Sequence, residues 1–259
     1  IDPKTGEYYF ARDEIVEAIE LMLALKKDGS IFPGSNSLQA PQAWPRVLRG
    51  NAAMVTAGPW VTQQWNHEDP DFDFGVAAAP ARGPDPYPQA FSELGGDTVC
   101  VYAGSKAKAV AADVLSYVTS LEGQTAWAKI CGVGAPPVLE EASKRAANTF
   151  TEQAKQCVEL GNSLVAGPEP LIANPDVSHV LRVEKALSPD FGEVIQSIFV
   201  GKVINIKKAL TDLKDRAERN RDAAIAAARK NGAKVSREDW VFADWDPRKD
   251  FTKADYEAR

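Results

Sequence analysis

From Asp13 onward Ile15, Ile19, Met22 and Leu23 recur at helical spacing, and Gly29 closes the segment. The spacing predicts a helix there, after a turn over Asp2-Pro3-Lys4-Thr5-Gly6 and a short strand over Glu7 to Phe10. A second helix is expected around Trp44 to Arg49, confined by Pro41 and Pro45 and ended by Gly50. Ala52 to Ala57 is a short apolar run, read as a strand, that stops at Gly58-Pro59-Trp60. A helical pattern resumes over Val61 to Trp65, which puts Trp60 on a strand-to-helix corner. Phe72 to Ala78 and Thr98 to Tyr102 read as further strands, the second opened by Gly95-Gly96-Asp97, with a proline-rich crossing loop over Pro80 to Pro88 between them.

Beyond that point the pattern is mostly helical. Ser105 and Ser120 are expected to cap helices over about 106 to 118 and 121 to 131. Gly132, Gly134 and Pro136-Pro137 break the chain, and helices follow over about 138 to 146, 150 to 160, 176 to 187 and 190 to 200. A long polar helix runs from Asn205 to Asn231. The tail after Gly232 carries Trp240, Phe242, Trp245, Phe251 and Tyr256, too many rings for a disordered end, and is expected to pack on a lobe surface.

The charge balance narrows the partners. A net charge of −6, with Lys and Arg scattered among acids, lacks the basic face that nucleic acid requires. No apolar run approaches the roughly 18 residues of a membrane helix. Cys100, Cys131 and Cys157 lack CxxC spacing, and with only His67 and His179 beside them no metal and no cofactor is expected. Cys131 and Cys157 could pair in an oxidising compartment, or all three could be buried free thiols. The chain starts at Ile1 in a turn, which reads as a cut chain with an export signal or a larger amino-terminal segment removed.

Candidate chemistry is sparse. Cys/His and Ser/His motifs, GxSxG, HExxH and a Walker loop are all lacking, so the chain is not expected to be an enzyme. Asp69, Asp71 and Asp73 could serve glycoside hydrolysis but read more simply as a solvated turn. Gly95-Gly96 precedes a strand, the wrong context for a phosphate loop. Trp60 is open to two readings, a flat face offered to a pyranose ring or an anchor in the core.

The words Leu48-Arg49-Gly50-Asn51-Ala52-Ala53-Met54 and then Gly58-Pro59-Trp60 resemble a stretch of extracellular solute-binding proteins of the maltose- and multiple-sugar-binding type. Asp71-Phe72-Asp73-Phe74-Gly75-Val76, Gly95-Gly96-Asp97, the run from Ala112 to Trp127, Gly134-Ala135-Pro136-Pro137 and Val200-Gly201-Lys202 with Ala209-Leu210 continue in that family's order. The resemblance covers roughly residues 1 to 231.

It implies an α/β fold of the periplasmic binding protein type II kind: two lobes, a ligand cleft between them, hinge closure, and the amino-terminal part of the first lobe missing. Residues 1–78 would then begin the second lobe, 79–135 complete the first, 136–232 supply second-lobe helices, and 233–259 form the packed tail. The function implied is extracytoplasmic capture of a sugar or oligosaccharide for an ABC importer, in a periplasmic or extracellular protein held as a lipoprotein. The permease, and the missing segment or a swapped copy of the chain, would be its macromolecular partners. A sugar- or peptide-sensing protein and, further off, a glycoside hydrolase are the alternatives. Carried over by residue, Trp60 would be the stacking platform supported by Gly58 and Pro59. Gly95, Gly96 and Asp97 would reach ligand hydroxyls, with Glu93, Phe91 and Phe191 as further contacts, although Phe191 reads more readily as a core residue on a helix face.

Overall fold

Helix signals that are local in sequence translate directly into structure. A computed structural model describes residues 1–81, 83, 87–92, 99–132 and 139–259. Its helices are α1 (Asp13–Lys27), α2 (Ala40–Ala43), α3 (Pro45–Leu48), α4 (Trp60–Glu68), α5 (Lys108–Thr119), α6 (Leu121–Cys131), α7 (Glu140–Ala146), α8 (Glu152–Gly161), α9 (Pro170–Ala173), α10 (Val177–Val183), α11 (Phe191–Phe199), α12 (Ile206–Lys230) and α13 (Lys253–Glu257). Two short strands, β1 (Ala90–Phe91) and β2 (Val165–Ala166), pair in parallel. By internal contacts the chain divides into two compact units. Unit 1 comprises Ile1–Ser37, Tyr87–Gly95 and Val165–Arg259, and unit 2 comprises Leu38–Pro86 and Gly96–Leu164. These borders differ from the lobe borders implied by the resemblance.

Unit 1 is organised by α12. Leu210, Leu213, Ala217, Ala224, Ile225 and Ala228 fall on one buried stripe of this 25-residue helix. Its upper part packs with Ile19 of α1 and with Val194 and Ile198 of α11, and its lower part with Val177, Val180, Val235 and Trp240. The ends are set by local chemistry. The Asn205 side chain accepts from Lys208 N at 2.9 Å, and Asp190 and Glu193 form a reciprocal capping box at the start of α11. α1 carries Asp13 and Glu14 in its first turn and Lys26 and Lys27 in its last, complementing the helix dipole, and stops at Gly29 with φ of 84°.

The tail is part of this unit's interior. Trp240, Phe242 and Trp245 are buried, Phe242 N donates to Pro3 O, and Phe251 N donates to Ala166 O. A buried cation ties the amino-terminal turn to α12. The Arg221 guanidinium, 1% exposed as a residue, donates to Gly6 O and to Glu218 at 2.6 Å each and lies over the rings of Tyr8 and Trp240. Tyr8 sits in the same network. Burial, then the nearby Glu184 carboxylate, pushes its phenol up to about 12, with Arg221 opposing. Because the folded-state value is raised, the stabilisation is complete below the ordinary phenol value and is lost as pH climbs toward about 12. Alkaline titration followed by tyrosinate absorbance is therefore expected to show a late step toward about 12 that Tyr8→Phe removes. A titration curve that Tyr8→Phe leaves unchanged at its alkaline end would contradict this.

Unit 2 holds a smaller core of Val47, Val61 and Trp65, with Phe72 and Phe74 against the Trp65 ring. α6 starts where expected, with Ser120 Oγ accepting from Gly123 N at 3.1 Å. Ser105 does not cap α5. Its hydroxyl accepts from Ala107 N in a local turn, and the helix begins only at Lys108.

Glu7 to Phe10, Ala52 to Ala57, Phe72 to Ala78 and 99–102 are extended or irregular, not strands, while residue 98 lies outside the described residues. A strand exists only by hydrogen bonding to a neighbour, and these runs find none among the described residues. Side chains of α8 take that place beside residues 72–78: Gln156 accepts from Val76 N at 2.9 Å and Gln153 donates to Phe74 O at 3.1 Å. The cysteines are unbonded, so the Cys131–Cys157 pairing does not form, and Cys100 is exposed where a buried thiol was the other expectation.

Candidate functional site

The Gly58-Pro59-Trp60 corner lies in unit 2 and opens α4. Val61 N and Thr62 N donate to Gly58 O and Pro59 O at 3.2 Å, and Thr62 Oγ1 donates to Pro59 O at 2.7 Å, so the first turn closes without a side-chain cap. The helix then divides its tryptophans. Trp65 faces inward at 6% exposure, whereas Trp60 keeps 49% of its surface exposed. Trp60 meets Trp44 edge to face, with ring centroids 6.0 Å apart. The core-anchor reading of Trp60 therefore fails, and Trp65 fills that role.

Gly58 supports the indole by what it lacks. A Cβ there would collide with the six-membered ring of Trp60. Gly58→Ala is accordingly expected to drive the indole off its seat and weaken the coupled signal of Trp44 and Trp60 in far-ultraviolet circular dichroism, to the degree that Trp44→Phe does. A spectrum identical to the parent's would show that the glycine has no such role.

Phe91 belongs to unit 1. It is 46% exposed on β1 and lines an open groove of about 480 Å³. The floor of that groove is Trp240, Phe242 and Trp245, and Tyr9 and Leu181 lie on its rim. Phe191 does not join it. Its ring stacks on Phe10 at 5.2 Å, and 37% of its surface stays exposed. Glu93, Gly95, Gly96 and Asp97 lie outside the described residues.

Of the expected contacts, Gly58, Pro59 and Trp60 form one corner of unit 2, and Phe91 lies among aromatics of unit 1. The groove's other walls were missed because they come from distant stretches. The density of rings after Gly232 was the only signal. Asp69, Asp71 and Asp73 give no catalytic pair: Asp69 ends α4, accepts from Asp71 N at 3.3 Å, and all three stay exposed. Among the described residues no group of three or more His, Cys, Asp or Glu is placed to hold a metal ion.

The family model for bacterial extracellular solute-binding proteins matches residues 3–156. The chain belongs to that family. The match spans α1, the Trp60 corner and Phe91 in this solute-binding protein, and ends before α9 to α13 of unit 1. Membership implies ligand capture for transport outside the cytoplasm, in a family that is generally not enzymatic. The helical and mixed architecture fits a fold like that of periplasmic binding proteins. No curated protein matches the chain in sequence. Among the described residues, no helix of this solute-binding protein is long and apolar enough to cross a membrane.

Proposed function

We propose that this solute-binding protein captures a neutral sugar or oligosaccharide for an ABC importer, with Trp60 as the stacking platform. One observation carries the reading: a half-exposed indole held edge-on by Trp44 and seated on Gly58. Such a ring offers an apolar face to the C–H side of a pyranose, and the amides and carboxylates of Glu93, Gly95, Gly96 and Asp97 supply polar partners for the hydroxyls. Phe91, which lines the unit 1 groove, is left out of the proposed sugar site. Phe191, stacked on Phe10 with 37% of its surface exposed, is a further contact in the proposal.

The proposal includes a two-lobe architecture that closes by a hinge, and a lipoprotein anchor in the full-length protein. It also includes an amino-terminal segment as partner of α5. That helix buries none of its residues, and Val110, Val114, Tyr117 and Val118 stand exposed on it. An apolar helix left uncovered in water fits a surface meant to be covered, by that segment or by a swapped copy of the chain. Calorimetry against a panel of neutral oligosaccharides, with product analysis, tests the function. Saturable binding without conversion supports it, and turnover of the ligand overturns it in favour of a hydrolase.

A further inference from the structure

The described residues that line the unit 1 groove all belong to unit 1, and they carry a site of their own. Pairing of the two short strands fixes it: Phe91 pairs with Ala166 and Gly167 N donates to Phe91 O at 2.9 Å, which places Glu169 three residues beyond the partner of Phe91. The Tyr256 hydroxyl accepts from Glu169 N at 2.8 Å and holds the same stretch from the tail. The volume of about 480 Å³ falls within the range of small-molecule sites.

The lining is unusual in its charge. Among the described residues that line it, Glu169 is the one with an acidic or basic side chain. Its carboxylate does not cap the helix that follows, and it forms no ion pair among the described residues. The floor rings are already occupied: Arg221 lies over Trp240 and Arg259 over Phe242, at 5.6 and 4.0 Å. Phe91 and Tyr9 carry no such cation among the described residues and remain exposed to the groove.

Rings around a single carboxylate select the ligand class. A sugar would leave most hydroxyls without partners, and a neutral apolar molecule would strip water from Glu169 and give nothing back. A hard metal ion needs more oxygen ligands than one carboxylate supplies. An organic cation meets both demands, its body on the rings and its charge on the carboxylate and the ring faces. We propose that unit 1 binds an organic ammonium with an aromatic or branched aliphatic body, anchored by Glu169 and packed against Phe91 and Tyr9.

Phenethylammonium titrated calorimetrically into the full chain, beside its neutral isostere 2-phenylethanol, tests this. The ammonium is expected to bind saturably and at least about tenfold more tightly than the alcohol. Glu169→Gln should abolish that discrimination, Phe91→Ala should weaken the ammonium about tenfold, and Trp60→Ala should change neither. Glu169→Gln alters no main-chain contact, and circular dichroism verifies its fold. Equal affinity for both probes, discrimination that survives Glu169→Gln, an effect of Trp60→Ala or no saturable binding would each overturn the assignment. Because Trp60 takes no part, failure of sugar binding leaves this result standing.

Discussion

Trp60→Ala is expected to weaken binding of a neutral oligosaccharide by about 10- to 100-fold while leaving the fold intact. The magnitude follows from what the ring contributes: the apolar area of one face of an indole plus the preference of an electron-rich ring for C–H groups, together about 1.5–3 kcal/mol. The fold survives because the ring is half-exposed and stands outside the cluster of Val47, Val61 and Trp65. Trp60→Phe, which keeps a smaller flat face, should lose only part of the affinity. Calorimetry on the parent and both variants, with circular dichroism to verify folding, decides the matter. Affinity unchanged in Trp60→Ala would remove the indole from the binding site and with it the main support for sugar capture.

Arg221→Ala is expected to cost about 3–5 kcal/mol of stability, because it breaks a buried ion pair from one side. The guanidinium is the largest fully buried side chain of the described residues. Removing it strips Gly6 O of a donor and leaves a void between the Tyr8 and Trp240 rings. Glu218 loses one partner but keeps two, accepting from Tyr8 N at 2.7 Å and facing Arg237 at 2.8 Å. That remaining pair places the expected loss toward the lower end of the range. The guanidinium Nε has no partner among the described residues, so the parent already carries one unsatisfied group there. Lys208→Ala, which removes an exposed pair with Asp212, serves as the contrast and should cost under about 1 kcal/mol. Urea unfolding followed by tryptophan fluorescence measures both. A loss below about 1 kcal/mol for Arg221→Ala would show that the network is not a fastener of unit 1.

How legible the molecule was depends on whether a signal is local. The helices around Asp13, Ser120, Thr151, Asp190 and Asn205 were readable because spacing and caps lie within a few residues of each other. The 25-residue α12 was predicted within a residue at each end, since Asn205 and Asn231 flank an unbroken periodic stripe. Strands were misread for the opposite reason. Val76 and Phe74 have the alternation of a strand, yet their main-chain groups bond to Gln156 and Gln153 across 79 to 80 residues of sequence. Nothing near them in the chain announces that substitution. β2 went unnoticed because two residues carry no period at all.

The site divides along the same line. By itself the sequence determined the Gly58-Pro59-Trp60 corner, the order of motifs that marks a solute-binding protein, and the helical frame, since each is written in neighbouring residues. Tertiary structure alone decided that Trp60 faces outward while Trp65 faces in, that Phe191 stacks on Phe10, and that Phe91, Glu169 and Trp240 line one groove. Exposure and convergence are properties of packing between segments far apart in the chain. A residue's type and its near neighbours fix what chemistry it offers, but only the elements folded against it fix whether a ligand can reach it.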